Sequence, residues 1–281
     1  MTTWLITGCS TGLGRAFAEA ALARGHNVVA TARDVSTVRD LADARPQTAL
    51  ALPLDVTKDD DVTAAFKAAE ERFGGVDVLI NNAGYGYRAA VEEGEDDAVQ
   101  QLFDTHVFGM VRTIKAVLPG MRARRSGTIV NLSSIGARVS PEGSGYYSAV
   151  KAAVESLTLS LRKELAPLGI TAMVVEPGAF RTDFAGRSLR QAEHAIPDYA
   201  ETAGKRRKEH DTADGAQPGD PAKAAAALIE VVESGETPYL LVLGNDASDS
   251  IRATLKALSE DLDAWEHISR STDLDDKKSR S

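Results

Sequence analysis

Apolar residues fall along this chain in short runs, separated by longer stretches whose apolar positions return every three or four residues. Seven runs, at residues 4–7, 27–32, 49–54, 76–81, 128–132, 171–175 and 239–243, are short and almost continuously apolar, which predicts strands buried on both faces. The stretches 14–24, 60–73, 97–118 and 222–234 carry helical spacing instead. Strand and helix alternate, so the pattern predicts an α/β fold: a doubly wound, Rossmann-type parallel sheet of seven strands with helices on both faces, in a single domain. Helix punctuation agrees. Gly25 follows the first helix, Pro119 and Pro167 close two long ones, and Asp220-Pro221 opens the helix that stops before Gly235.

Two regions break the rhythm. Residues 183–219 are polar, contain Pro197, Pro218 and several glycines, and read as a substrate lid inserted into a catalytic domain spanning 1–245. Inside the lid, Lys205-Arg206-Arg207-Lys208 reads as a solvated helix face. After the last strand, Ile251, Leu255, Leu258, Leu262 and Trp265 mark one face of a C-terminal helical extension, 246–268, and a polar tail follows at 269–281.

Composition narrows the function. A chain of 281 residues with 43% hydrophobic content can bury a full core, and a net charge of −9 opposes phosphate backbones and anionic lipid surfaces. That argues against nucleic acid or membrane as a partner and leaves a small molecule. The lone Cys9 excludes an intrachain disulfide and a thiolate metal cluster, and no metal site is expected. With no basic, apolar leader and no run long enough to span a bilayer, the expected location is cytoplasmic.

Candidate chemistry gathers at the carboxyl ends of the predicted strands. The first strand runs into Gly8-Cys9-Ser10-Thr11-Gly12-Leu13-Gly14 and then a helix, which presents backbone N–H groups to a pyrophosphate. The second strand ends Ala32-Arg33-Asp34. Alanine stands where a ribose-binding carboxylate is expected and a guanidinium follows, so NADP(H) is favoured, while Asp34 leaves NAD(H) open. Asn81-Asn82-Ala83-Gly84 closes the fourth strand with residues small enough for a cofactor to lie close and amides able to tie neighbouring strands. The next strand ends in Ser133-Ser134. Thirteen residues beyond Ser134, Tyr147-Ser-Ala-Val-Lys151 sets a phenol and an ammonium one helical turn apart. A nearby ammonium lowers a phenol from its reference pKa of about 10 and so tunes it as an acid. The spacing is common by chance, and it gains meaning from sharing a sheet edge with the glycine-rich turn.

Together with Pro177-Gly178, these motifs resemble, in order and placement, the short-chain dehydrogenase/reductase family over residues 3–244, and Glu176-Pro177-Gly178-Ala179-Phe180-Arg181-Thr182 resembles its hydroxysteroid-dehydrogenase-like branch. The resemblance implies an NADP(H)-dependent oxidoreductase that interconverts a ketone or aldehyde and an alcohol. It implies that Tyr147 exchanges a proton with the substrate oxygen, that Ser134 hydrogen-bonds that oxygen, and that Lys151 tunes Tyr147 and holds the nicotinamide ribose. Gly8, Ser10, Thr11, Gly12, Leu13 and Gly14 would cradle the pyrophosphate, and Arg33, Asp55 and Val56 would lie along the adenosine. Asn82, Ala83 and Gly84 would line the cofactor, with Pro177, Gly178, the backbone near Phe180 and Thr182 at the carboxamide. Family members commonly pair through the helices found here near 97–118 and 147–165, which implies a homodimer or homotetramer.

One position departs from the family pattern, because His106 stands where the helix-borne asparagine of the catalytic tetrad is expected. An imidazole can support the water that the asparagine holds, but it titrates near neutrality; a histidine simply packed between helices fits as well. Phe180, Phe184 and Ile135-Gly136-Ala137 are expected to face the nicotinamide, giving an apolar-walled pocket for a carbonyl or alcohol on a hydrophobic body. A catalytically weak, dinucleotide-binding regulator would share the fold. Intact Ser134, Tyr147 and Lys151 favour the enzyme, and the chain leaves little room for the larger substrate portion of a sugar-nucleotide epimerase.

Overall fold

The structure is a computed structural model that describes residues 1–274 except 185, 187 and 214. Its strands are β1 (Thr3–Ile6), β2 (Asn27–Ala32), β3 (Ala49–Pro53), β4 (Val78–Asn81), β5 (Gly86–Arg88), β6 (Gly127–Leu132), β7 (Ile170–Pro177), β8 (Leu189–Gln191) and β9 (Leu240–Leu243). Seven of them form one sheet in the order β3-β2-β1-β4-β6-β7-β9, with every pairing parallel. These are the seven strands expected from the apolar runs. The chain winds outward from β1 to β3 and then crosses back to β4, so the strand order reverses between β1 and β4, where open α/β sheets form their ligand crevice.

The helices are α1 (Gly12–Ala23), α2 (Arg39–Ala44), α3 (Asp59–Phe73), α4 (Asp96–Phe103), α5 (Gly109–Arg124), α6 (Gly136–Val139), α7 (Gly145–Leu165), α8 (Ala203–Ala213), α9 (Pro221–Glu233) and α10 (Asn245–Ser271). Alternate side chains of each strand feed two cores. Trp4 and Ile6 pack with Phe17 of α1 and Leu228 of α9 on one face, while Leu5 and Leu79 pack with Met110 and Ile114 of α5 and Val154 of α7 on the other. Both faces of the central strands are therefore dry, which is why their sequences read as continuous apolar runs.

Several boundaries differ from expectation. The single helix read over 97–118 is two helices joined by a wide π turn at Asp104–Phe108. Pro119 lies inside α5 and does not close it: the buried Met121 seats the next turn against the core, and the helix ends only at Arg125, in the left-handed region at φ 52. Pro167 does follow the end of α7, and Asp220 caps α9 by accepting from the N–H groups of Ala222 (2.9 Å) and Lys223 (3.4 Å).

Between β7 and α9 the chain folds back over the sheet edge. There β8 pairs in parallel with β5, and α8 follows. The basic run on α8 is a solvated face only in part: Lys205 and Lys208 are exposed, but Arg207 turns inward. Arg207 gives two hydrogen bonds to the buried carboxylate of Glu93, at 2.6 and 3.0 Å, and that guanidinium holds the Glu93 carboxyl down at about 2. A helix with no apolar stripe is thus fastened by an ion pair, which periodicity cannot reveal. Helix α10 packs through Ala247 and Ile251, but Leu255, Leu258, Leu262 and Trp265 are exposed, so the predicted apolar face leaves the domain after its first turns. It extends to Ser271, beyond the expected 268, and residues 275–281 of the polar tail lie outside the described residues. Among the described residues no helix is long and apolar enough to cross a membrane.

Candidate active site

The end of β1 is locked to the end of β4 by one hydroxyl and one amide. Thr7 Oγ1 accepts from the N–H groups of Asn82 and Ala83, both at 3.0 Å, and Asn82 Nδ2 donates to Thr7 O (2.9 Å) and Gly8 O (3.0 Å). Two glycines let the turn fold onto that amide. A Cβ on Gly14 would lie 2.3 Å from both Gly8 O and Asn82 Nδ2, and Gly8, at φ +73, has Ala83 Cα 2.9 Å from the same position. The atoms these glycines make room for belong to the protein itself. Gly12 is different: its side faces the Thr182 side chain at 3.5 Å.

Ser10, Thr11, Gly12 and Leu13 stay partly exposed along this turn. Thr11, the N-cap of α1, caps no N–H with its side chain, and the first turn contains no acid. That helix start retains its donors and its positive end, which fits a pyrophosphate. Cys9 is buried with Sγ on Ile6 O, and burial pushes its thiol up to about 12, so it is structural.

At the adenosine end, Arg33 is exposed, while Asp34 Oδ1 is engaged by Ser36 N (3.0 Å) and Ser36 Oγ (2.7 Å). Asp55 Oδ1 likewise accepts from Thr57 N (3.0 Å) and Thr57 Oγ1 (2.7 Å). The Val56 side chain belongs to the core with Leu54, Val62 and Ala65.

Helix α7 carries Tyr147 in its first turn and Lys151 one turn later, and β6 delivers Ser134 to meet them. A Cβ on Gly136 would touch Ser134 Oγ and Tyr147 Cε1, each at 3.5 Å, so the two residues converge over that glycine, and the Ser134 hydroxyl acts to favour the ionised phenol. Lys151 Nζ donates to Leu132 O (2.8 Å) and lies 5.7 Å from the centre of the Tyr147 ring. The expected tuning is not in force here. Burial pushes the Tyr147 phenol up to about 12 against the lowering effect of Ser134 and Arg88, and burial brings Lys151 down to about 7 against the attraction of Glu155. Lys151 is buried and Tyr147 partly so, and desolvation outweighs the attraction that the Tyr–Lys spacing suggests.

The π turn carries His106 into the same interior, where it is 4% exposed. Its Nε2 lies 2.8 Å from Tyr85 O and 3.1 Å from Tyr85 N. The shorter contact assigns Nε2–H as donor and leaves Nδ1 unprotonated, buried and without a hydrogen-bond partner among the described residues. The ring meets Tyr147 edge-on at 5.8 Å between centroids. Gly84 provides the space, since a Cβ there would lie 2.4 Å from His106 Cε1 and 2.9 Å from Nδ1. Burial, and then the charge of Lys151, hold the imidazole well below its usual pKa. It is neutral at ordinary pH, which corrects the expectation that it titrates near neutrality. A cavity of about 10 Å³, room for one water, is lined by Thr7, Asn81, Thr105, His106 and Lys151. The amide of Asn81 ties β4 to β6 through Asn131 Oδ1 (2.8 Å), as expected of that motif.

The family model for short chain dehydrogenases matches residues 2–193. The chain belongs to that family. The oxidoreductase BOA17 of Botryotinia fuckeliana (strain B05.10) is 37% identical over 267 residues, covering 95% of this chain and 97% of its own. A 3-ketodihydrosphingosine reductase of Bacteroides thetaiotaomicron is 35% identical over 243 residues, covering 85% of this chain and 87% of its own. The crystal structure of a short-chain dehydrogenase from Streptomyces avermitilis superposes with a TM-score of 0.90 at 44% identity, covering 97% of this chain and all of that one. This short-chain dehydrogenase is accordingly an NAD(P)-dependent oxidoreductase.

Not every residue of the short-chain dehydrogenase that the sequence singles out faces this centre. Phe184 does: its ring lies 5.9 Å from that of Tyr147, and Thr182 Oγ1 accepts from its N–H (3.3 Å). Phe180 does not. Its ring packs over Gly219 and lines a separate cavity of about 290 Å³ with Lys223, Leu243 and Asp246, because the backbone at 180 is bridged to Gly219. Gly178, after Pro177, makes room for Asp246, whose Oδ1 lies 2.3 Å from the position of a Cβ and whose Oδ2 accepts from Ala179 N (2.7 Å). Asp246 thus positions the 178–179 backbone, a role no local pattern announces.

Behind Ser134, the Ser133 hydroxyl donates to Glu155 Oε1 (2.6 Å), and Arg138 joins Glu155 (2.9 Å) to Glu176 (2.8 Å). Glu155 follows Lys151 by one helical turn, a spacing visible in the sequence.

Proposed function

We propose that this short-chain dehydrogenase interconverts a ketone or aldehyde and the corresponding alcohol on a hydrophobic small molecule, with NADP(H) preferred over NAD(H). The convergence of the Ser134 hydroxyl and the Tyr147 ring over Gly136, at the same sheet edge as the open start of α1, carries this reading. A nicotinamide dinucleotide, when bound, supplies or accepts the hydride. Two hydroxyls from separate elements then share one substrate oxygen, which Ser134 holds while Tyr147 donates its proton as negative charge develops there. A phenol at about 12 still protonates an alkoxide, which is a far stronger base, so this arrangement suits reduction. Lys151, close behind the Tyr147 ring, adds positive charge in its protonated form, and the bare Nδ1 of neutral His106 is placed to accept from a water leading toward it.

The cofactor preference rests on the division of labour at the end of β2. Asp34 spends its carboxylate on its own turn, whereas the Arg33 guanidinium is exposed and suited to a 2′-phosphate. The relative named as a 3-ketodihydrosphingosine reductase supports a ketone as the reacting group, and the 176–182 stretch supports a place near the hydroxysteroid-dehydrogenase-like branch. Phe184 supports residues 183–219 as a lid over the centre, and exposed Phe108, Leu157 and Leu159 on the long helices support a homodimer, which sedimentation would check.

NADPH oxidation with a panel of hydrophobic ketones tests the reading. The wild type should turn over, with kcat/KM for NADPH well above that for NADH, and Tyr147→Phe should lower kcat by roughly 10²–10⁴. A wild type that binds the cofactor yet reduces no ketone would instead support a dinucleotide-binding regulator.

A further inference from the structure

Strand β5 turns one face toward the catalytic centre, and Arg88 stands on it. Side chains alternate along a strand, so Gly86 and Arg88 share a face that Tyr87, buried in the small cluster beneath, does not. A Cβ on Gly86 would lie 3.3 Å from Phe184 Cζ, and Phe184 packs on Tyr147, so the Gly86–Arg88 face looks into the cleft. Arg88 Nη1 bonds Ser144 Oγ at the N-cap of α7, three residues before Tyr147. Its Nε is buried with no hydrogen-bond partner among the described residues, which leaves the Nε–Nη2 edge for a two-point contact.

Positive charge gathers around this guanidinium. The first turn of α7 has no acid and no side-chain cap, so its positive end adds to Arg88. Arg206 of α8 lies within electrostatic reach and, after burial, is the second factor bringing Arg88 down to about 10. The neighbouring carboxylates are committed elsewhere: Glu93 to Arg207 and the N–H groups of Ala90 and Ile196, Glu95 to Tyr87 and Glu193 N, and Glu92 to Tyr199. No carboxylate among the described residues pairs with Arg88. A half-buried guanidinium whose buried Nε–H has no partner among the described residues is unfavourable unless a ligand completes it.

We propose that the substrate carries a carboxylate, held by the Nε–Nη2 edge of Arg88 near the start of α7 while its carbonyl oxygen meets Ser134 and Tyr147. This rests on the carbonyl-reductase reading and adds one charged corner to an otherwise apolar-walled cleft. A carboxylate matches the fork of a single guanidinium in a way that a neutral ester does not.

The test uses full-length enzyme, NADPH and a series of aryl ketones bearing a terminal carboxylate on polymethylene chains of increasing length, each beside its methyl ester. At the best length the acid should exceed its ester in kcat/KM by roughly 10- to 100-fold, the range for hydrogen bonds to charged groups. Arg88→Met should bring that ratio to about 1, and Arg88→Lys should keep part of it. The proposal is overturned if the wild type shows no acid preference at any length, if the preference survives Arg88→Met, or if that variant loses acid and ester turnover in equal proportion, which would make Arg88 a positioning residue for Tyr147. Calorimetric titration of the same pair into the enzyme with NADP⁺ separates the two readings. Arg88-dependent binding of the acid without turnover of any ketone would keep the anion site and remove the reductase assignment.

Discussion

The two ends of the sheet's carboxyl edge treat their polar groups in opposite ways. At the cradle, Thr7 Oγ1 and the Asn82 amide N–H groups are fully engaged with neighbouring backbone, and Gly8 and Gly14 leave the room for it. At the catalytic end, His106 Nδ1, Arg88 Nε and Ser148 Oγ are buried without partners among the described residues, and Lys151 is held in a site that resists its charge. The β1–β4 junction of the cradle is finished by the chain itself and presents the start of α1 on a preformed surface. The catalytic end is complete only with something else in it, and buried polar groups left open in this way mark where chemistry is done.

The sharpest way to break this contrast is to remove the charge that the catalytic end tolerates. Lys151 titrates below its unfolded value of 10.5, so as pH falls from 10.5 to about 7 the unfolded chain takes the proton first and stability is lost across that window. Glu176 acts in the other direction. Burial, and then the neighbouring Glu155, raise its carboxyl above the usual carboxylate range, so its unfavourable contribution grows as pH rises from 4.5. Lys151→Met should lower kcat by about 10³ while stabilising the fold at pH 7 by about 1–4 kcal/mol, a gain that shrinks toward pH 10.5. Thermal melts from pH 6 to 10 beside activity would show it. Equal losses of activity and stability would mean that the two ends are not built on different terms.

At the cradle the same logic predicts loss of binding without loss of chemistry per bound cofactor. Gly14→Ala drives a methyl group into Gly8 O and the Asn82 amide, which must separate by more than half an ångström to admit it. Displacement of a backbone carbonyl and its partner should weaken NADPH binding at least tenfold, about 1.4 kcal/mol, by fluorescence titration, with a much smaller change in kcat at saturating cofactor.

How much of each end can be read from sequence follows the same division. The strands, the glycine-rich turn, the Asn81–Asn131 tie and the meeting of Ser134 with Tyr147 depend on local spacing and on the order of β and α elements, and these were legible. The π turn at His106 was not, since a single wide turn inside a helix interrupts the apolar pattern too briefly to show in it. Strands β5 and β8 have three residues each, too few to carry a period of two, so Arg88 had no visible face. Arg207 looked solvated because its partner, Glu93, is 114 residues away. Electrostatic environment was the least legible property: the pair Tyr147 and Lys151 gives the chemistry of the groups, and only burial shows that the phenol is pushed up and the ammonium down from their usual pKa values.

The smallest and most specific effect should come from the place where the two ends touch. Gly84 leaves the cradle motif and meets the His106 ring, with Cε1 2.4 Å from the position of a Cβ. A methyl group there must push the ring, break its contact with Tyr85 O and disturb the edge-on packing on Tyr147, whereas an asparagine at 106 leaves the space that the imidazole fills. His106→Asn alone should retain activity within about tenfold and leave the pH profile in place, because the group it removes is already neutral across the working range. Gly84→Ala should be clearly harmful with His106 present and much less so in the His106→Asn background, giving a coupling of about 1–2 kcal/mol in a double-mutant cycle read by both melting temperature and kcat. Additive effects would show that the glycine serves the cofactor alone. Strong coupling would show instead that Gly84 and His106 are one fitted pair, through which the closed network of the cradle sets the position of an open nitrogen beside Lys151.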